Sequence, residues 1–187
     1  MNIVTVSSAM AGEAKPVIHA RRAEIVRTSL LLLFLLSLRF SDGQFANQLQ
    51  GEVDFLCPAD QQALTGVASV FAESADDRRW QFTCGTGGGL ANVSAACTLQ
   101  PAVHQLEGSI LYSCPEDGYL GGLQSSFSLQ SRDRLWRPYC CERPHSSLIG
   151  CEQQAGWQNL LRGDLNVSLT GLFVLTGITS YFDTLPK

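Results

Sequence analysis

The sequence predicts an all-β, disulfide-bonded domain built from three internal repeats of about 56 residues. Three observations carry this prediction. Apolar and polar residues alternate with period two in short runs broken by Gly and Pro, and no stretch holds a helical period long enough to make a helix. The chain repeats itself at a fixed interval, which is read before individual elements because a missed repeat misassigns the fold. All seven cysteines fall after an apparent secretory leader, at 57, 84, 97, 114, 140, 141 and 151, where an oxidising compartment makes disulfides the expectation.

The three copies lie at about 47–84, 104–141 and 157–187. The first runs from "NQLQGEVDFLCP" to "DDRRWQFTC", the second from "HQLEGSILYSCP" to "RDRLWRPYC", and the third is "WQNLLRGDLNVSLTGLFVLTGITSYFDTLPK". Gly51, Gly108 and Gly163 occupy one repeat position, Gly66, Gly122 and Gly177 a second, and Phe71, Phe127 and Phe182 a third, at offsets of 55 to 57. In the first two copies the Asp of a D-R-x-W motif follows the aligned Phe by six residues. In the third it would fall at position 188, so that copy is expected to be incomplete, through truncation or alternative splicing. Strand periodicity repeated three times predicts a pseudo-threefold closed arrangement, β-prism or trefoil-like, with one sector per copy. Loss of the last strand of copy three would leave a strand edge that favours self-association.

Residues 1–43 read as a signal peptide with an unusually long basic lead. Lys15, Arg21, Arg22 and Arg27 precede "SLLLLFLLSL", Ser29 to Leu38, and small residues stand at Ser41 and Gly43. The apolar run is shorter than the roughly 20 residues that cross a bilayer, but it suits a leader cleaved between Gly43 and Gln44. An internal start at Met10 and a signal-anchor are the alternatives. Cleavage removes five basic and three acidic side chains, leaving eight and fourteen, so the formal charge moves from −4 to −6. An acidic surface argues against nucleic acid and against heparin binding driven by bulk charge. Asn92-Val-Ser and Asn166-Val-Ser are candidate N-glycosylation sites in the remaining domain, 44–187.

Cys140 and Cys141 are adjacent, and a strand points them to opposite faces, so they should bridge to different partners. Repeat logic pairs Cys57 with Cys84, Cys114 with Cys141 and Cys97 with Cys140. Cys151 is left over, which predicts an absent partner or an intermolecular bond.

In "RRWQFTC", Arg78, Trp80, Phe82 and Cys84 share one strand face. The guanidinium is then expected on the indole two residues along, with the preceding Asp paired to it. Asp77, Arg78 and Trp80, with Asp133, Arg134 and Trp136, are thus either a structural corner repeated by symmetry or a ligand corner. Enzyme chemistry finds little support. His104 and His145 lack metal-ligand or triad spacing, "CGTGGGL" fits no phosphate-binding pattern, and Asp76-Asp77 and Glu116-Asp117 suit turns. No cofactor or metal is called for.

The D-R-x-W-x-F-x-C run, the "YCC" at 139–141, the "CP" that follows each first strand and the G-[VL]-x-S-x-F before D-R-x-W together resemble the dermatopontin family, over about Phe45 to Lys187. On that resemblance the two D-R-x-W sets match the family's repeated motif, and Cys57, Cys84, Cys97, Cys114, Cys140 and Cys141 match its bridging cysteines. The pairing given above agrees with the family's pattern. Departures are the missing third D-R-x-W, Pro138 where copy one has Phe82, which should lie at an edge or bulge, and only four tyrosines. The resemblance implies a secreted, non-enzymatic extracellular-matrix protein that supports collagen fibril and proteoglycan organisation and cell adhesion. Its alternative is a soluble, agglutinin-like carbohydrate-binding module whose pockets stack sugars on Trp80 and Trp136. Arg162-Gly163-Asp164 spells a triplet read by integrins, although Gly163 is also the repeat's turn glycine. Integrins and cell-surface glycans are therefore both candidate partners.

Overall fold

A computed structural model describes residues 5–10, 45–58, 63–86, 96–142 and 149–182. These belong to one compact unit that takes in 1–13 and 45–187. The leader run, the Gly43/Gln44 junction, Asn92 and His145 lie outside the described residues. Every regular element described is a strand: β1 Thr5–Met10, β2 Val53–Leu56, β3 Ala63–Ala72, β4 Asp77–Gly85, β5 Cys97–Leu99, β6 Ile110–Ser113, β7 Tyr119–Ser128, β8 Asp133–Cys141, β9 Ile149–Gln153, β10 Leu165–Ser168 and β11 Phe173–Ser180. Among the described residues no helix is long and apolar enough to cross a membrane.

The repeats are legible in the strands. Copy one supplies β2, β3 and β4, copy two β6, β7 and β8, and copy three β10 and β11. Within a copy the two longer strands form an antiparallel hairpin, β3 with β4 and β7 with β8. The short first strand pairs instead with the next copy's hairpin: β2 with β7, β6 with β11, and β10 with β3. Gly122 and Gly177 are what this exchange needs. A Cβ at Gly177 would stand 2.5 Å from the Tyr112 carbonyl oxygen, and one at Gly122 would collide with Phe55, so only glycine lets the incoming backbone close.

Beside β11, where a third D-R-x-W strand would run, lies β1. Its register matches the other hairpins. Gly66 faces Thr83, Gly122 faces Tyr139 and Gly177 faces Ser7, and a bulge follows at the same place in all three pairs. Its other edge takes β9, as β8 takes β5.

The core is the inward face of this set: Val53, Leu64, Val67, Trp80, Ile110, Leu120, Leu123, Trp136, Leu165, Val167, Leu175 and Ile178. Two disulfides rivet its rim, Cys57–Cys84 and Cys114–Cys140, and a third, Cys97–Cys141, ties β5 to β8 outside it. The pairing of Cys114 with Cys141 and of Cys97 with Cys140 is therefore corrected. Cys84 is four residues past Trp80, and the residue four past Trp136 is Cys140, which shares the inward face with that tryptophan. Cys141 points the other way and stands opposite Cys97 in the ladder. A one-residue slip in the alignment reverses the face. Cys151, on β9, is exposed and carries no disulfide.

Pro138 sits opposite Leu123 in β8, just beyond the place where β5 ends. Its carbonyl accepts from Gln100 N–H at 2.9 Å, while Gln100 O, which a ladder would join to the missing proline N–H, takes Arg137 Nε at 3.1 Å.

Candidate functional site

The D-R-x-W residues are placed by strand alternation and by the turns that precede the first strands. Asp77, Arg78 and Trp80, and likewise Asp133, Arg134 and Trp136, are each at least 95 % buried. The two indoles meet edge to face, with centroids 4.9 Å apart at 77°. A sugar cannot stack on rings 2 % and 1 % exposed, so the carbohydrate corner drawn at Trp80 and Trp136 is overturned by burial.

The expected pairing inside the motif is also corrected. Each guanidinium lies over a phenylalanine of its own hairpin, Arg78 over Phe71 and Arg134 over Phe127, both at 5.4 Å. On a twisted hairpin the residue across the ladder, Phe71 opposite Arg78 and Phe127 opposite Arg134, is nearer than the one two positions along the strand. Each also donates to its hairpin's serine, Ser69 at 3.1 Å and Ser125 at 3.2 Å. Asp77 turns away from Arg78 toward the next copy and takes two parallel bonds from Arg134, Nε to Oδ1 and Nη2 to Oδ2, both 2.7 Å. It accepts a third from Gln50 N–H at 2.6 Å, and Asp133 accepts one from Glu107 N–H at 2.8 Å. D-R-x-W is thus a staple: its Asp fixes the turn ahead of β2 or β6, and in copy one also the hairpin of copy two.

Sequence reasoning missed a second constellation, at a repeat position upstream of the turn glycines. Asn47, His104 and Asn159 each stand four residues before the turn glycine. Asn47 accepts Trp80 N–H at 2.8 Å and donates to Arg78 O at 2.9 Å. His104 does the first of these tasks in copy two, its Nε2 accepting Trp136 N–H at 3.2 Å while Nδ1 donates to Gln105 O at 2.8 Å. It is half-buried in a structural role, not a free surface histidine. Alignment of the repeats held the signal, because the three residues occupy one column.

The Arg162-Gly163-Asp164 triplet closes the equivalent turn of copy three. Gly163 N–H bonds Leu160 O at 2.9 Å, and Arg162 takes the left-handed backbone (φ 58°) that Gln50 and Glu107 take in the other copies. Its guanidinium stands 3.7 Å from Asp76 and 5.5 Å from the Phe71 ring. Asp164 is exposed and acts on Arg78, whose guanidinium is pulled down to about 10 by burial while Asp164 and Asp77 hold it up. Asn166 is exposed on β10, between buried Leu165 and Val167.

An open cleft of about 430 Å³ lies between the segment that leads into copy three and β11, lined by Gln153, Gln154, Ala155, Gly156, Trp157 and Thr179. Trp157 is 51 % exposed and meets Tyr181 edge to face at 5.1 Å and 71°. Its repeat equivalents differ. Phe45 in copy one is covered by the Arg79 guanidinium at 4.2 Å, and copy two has Ala102.

These features define a disulfide-tied, all-β scaffold whose motif residues are spent on the frame. The family model for dermatopontin matches residues 47–187, and the chain belongs to the dermatopontin family. It is 33% identical over 98 residues to dermatopontin of Biomphalaria glabrata, an alignment covering 52% of this chain and 63% of the snail protein. It is 26% identical over 157 residues to the hemagglutinin/amebocyte aggregation factor of Limulus polyphemus, covering 83% of this chain and 87% of that protein. No solved structure matches the chain.

Proposed function

We propose that this chain is a non-catalytic extracellular-matrix protein that organises fibril and proteoglycan components and supports cell adhesion. The observation that carries this reading is the family match across 47–187, joined to a disulfide-tied frame of the kind that serves outside the cell. The D-R-x-W side chains hold that frame together, which leaves binding to the exposed surface. In this reading the cyclic exchange of short strands, and the shared register of β1, β4 and β8, make the three sheets sectors of a pseudo-threefold prism. Residues 1–43 are a leader, and its removal takes β1 away, opening the edges of β11 and β9 and favouring self-association. Asn92 and Asn166 are the glycan acceptors, and Asn166 presents an exposed side chain on β10. N-terminal sequencing of the secreted chain checks removal of the leader, and its size-exclusion profile checks self-association.

A second reading, carbohydrate binding, is favoured by the similarity to the Limulus protein, named as a hemagglutinin, and by the exposed Trp157 beside a cleft. Cell attachment to a surface coated with the secreted chain, with and without free sugars, separates the two. Attachment that sugars leave unchanged supports protein-mediated adhesion. Attachment abolished by a sugar supports the second reading, and no attachment to cells or to collagen fibrils overturns the first.

A further inference from the structure

We infer that the cleft beside Trp157 is a single neutral-glycan site, the size of one or two sugar rings. The inference rests on the carbohydrate-binding reading and gives it a place that the repeated motif does not supply.

The cleft's volume, about 430 Å³, falls at the lower end of ordinary ligand pockets. Its lining supplies what a sugar ring requires. A half-exposed indole offers a flat apolar face for the ring's C–H bonds, and Tyr181 packs against it edge to face, holding it in place. Around it stand two amides and a hydroxyl, Gln153, Gln154 and Thr179, groups that both donate and accept, as vicinal sugar hydroxyls do. The Gln154 Oε1 acceptor is buried and without a hydrogen-bond partner among the described residues, so a turn of this amide into the cleft would give a sugar hydroxyl a bond that the free protein does not make. None of the six lining residues is ionisable, and the full-length chain, in which β1 stands between Gln153 and Thr179, carries a formal −4. Both facts disfavour sulfated or sialylated glycans and leave neutral hexoses and N-acetylhexosamines as the class.

The repeat makes this site unique to copy three. At the position of Trp157, copy one has Phe45 under Arg79 and copy two has Ala102. A monomer carries this cleft once, so agglutination of cells through it requires associated chains.

The test uses the full-length chain on an array of immobilised neutral glycans (galactose, mannose, N-acetylglucosamine and their short oligomers) with heparin and sialyllactose alongside. Trp157→Ala, Trp157→Phe and Gln154→Ala are compared with the parent, and the thermal midpoint of each monitors folding. The expected result is binding of at least one neutral glycan by the parent, about tenfold or greater weakening in Trp157→Ala at an unshifted midpoint, partial rescue by Trp157→Phe, and weakening in Gln154→Ala. Neutral-glycan binding that survives both alanine variants overturns the cleft while leaving the carbohydrate reading intact. Binding only to heparin or sialyllactose overturns the neutral class. A parent that binds no glycan overturns the inference together with the reading beneath it.

Discussion

Two edge-to-face aromatic pairs, Trp80 with Trp136 and Trp157 with Tyr181, share almost the same geometry, 4.9 Å and 77° against 5.1 Å and 71°. Their surroundings are opposite. The first pair is 2 % and 1 % exposed at the centre of the core, whereas Trp157 is 51 % exposed at the rim of a cleft. The first two tryptophans recur at one repeat position and are clamped through their own backbone N–H groups by Asn47 and His104. Trp157 stands where the other copies have a covered phenylalanine and an alanine. The contrast teaches that a residue recurring with the repeat builds the repeat, and that a departure confined to one copy is where a ligand can be sought. Truncation should separate the two pairs most sharply. Trp136→Ala is expected to lose about 3–5 kcal/mol of stability, since an emptied indole site refills only in part. Trp157→Ala should lose less than about 1 kcal/mol. One urea-unfolding series on both variants checks this, and equal losses would erase the distinction.

The next effect lies in the cross-copy staple. Asp77→Asn leaves Arg134, 97 % buried, with half its bidentate partner gone, an uncompensated charge worth about 3–5 kcal/mol. Asp77→Leu combined with Arg134→Met removes both charges and should cost less than the two single changes added together, with a coupling of about 0.5–3 kcal/mol in a double-mutant cycle. Additive losses would show that the pair does not hold copy one to copy two.

A smaller effect tests the clamp. His104→Ala gives up the acceptor for Trp136 N–H and should cost about 1 kcal/mol, whereas His104→Asn should be nearly neutral, because Asn47 already performs that task on Trp80. Thermal unfolding of the two variants side by side decides it, and an asparagine as damaging as the alanine would contradict the equivalence of the two copies.

Much of this was legible in the sequence, for reasons that can be named. Period-two alternation revealed the strands, because each side chain's face follows from its parity. The offsets of 55 to 57 revealed the copies, because glycine is the one residue that admits the neighbouring backbone at Gly122 and Gly177. What parity cannot convey is which copy a strand pairs with. The exchange of β2, β6 and β10 between copies was therefore invisible, and with it the bond from Asp77 to Arg134. The Cys97–Cys141 and Cys114–Cys140 bridges depended on a single position of register, and the count of seven cysteines is blind to register. The cleft draws on two segments, 153–157 and Thr179, that no motif links.

The smallest expected effect concerns the Arg162-Gly163-Asp164 turn. Arg162 already faces Asp76 and Phe71, and the Asp164 carboxylate already acts on Arg78. Asp164→Glu keeps the charge beside Arg78 and lengthens the side chain by one methylene, so the frame should change by no more than about 0.5 kcal/mol. A receptor that reads the triplet through a cation requires the aspartate's shorter reach and does not tolerate the longer acid. Because both charges of the triplet have partners in copy one, attachment of cells to the Asp164→Glu chain is expected to stay within about twofold of the parent. A loss beyond about tenfold, at an unshifted unfolding midpoint, would show instead that the receptor outcompetes Asp76 and Arg78 for the turn. Copy three and the segment leading into it would then carry two recognition surfaces, a charged turn and an aromatic cleft, where the D-R-x-W residues of copies one and two are spent on the frame.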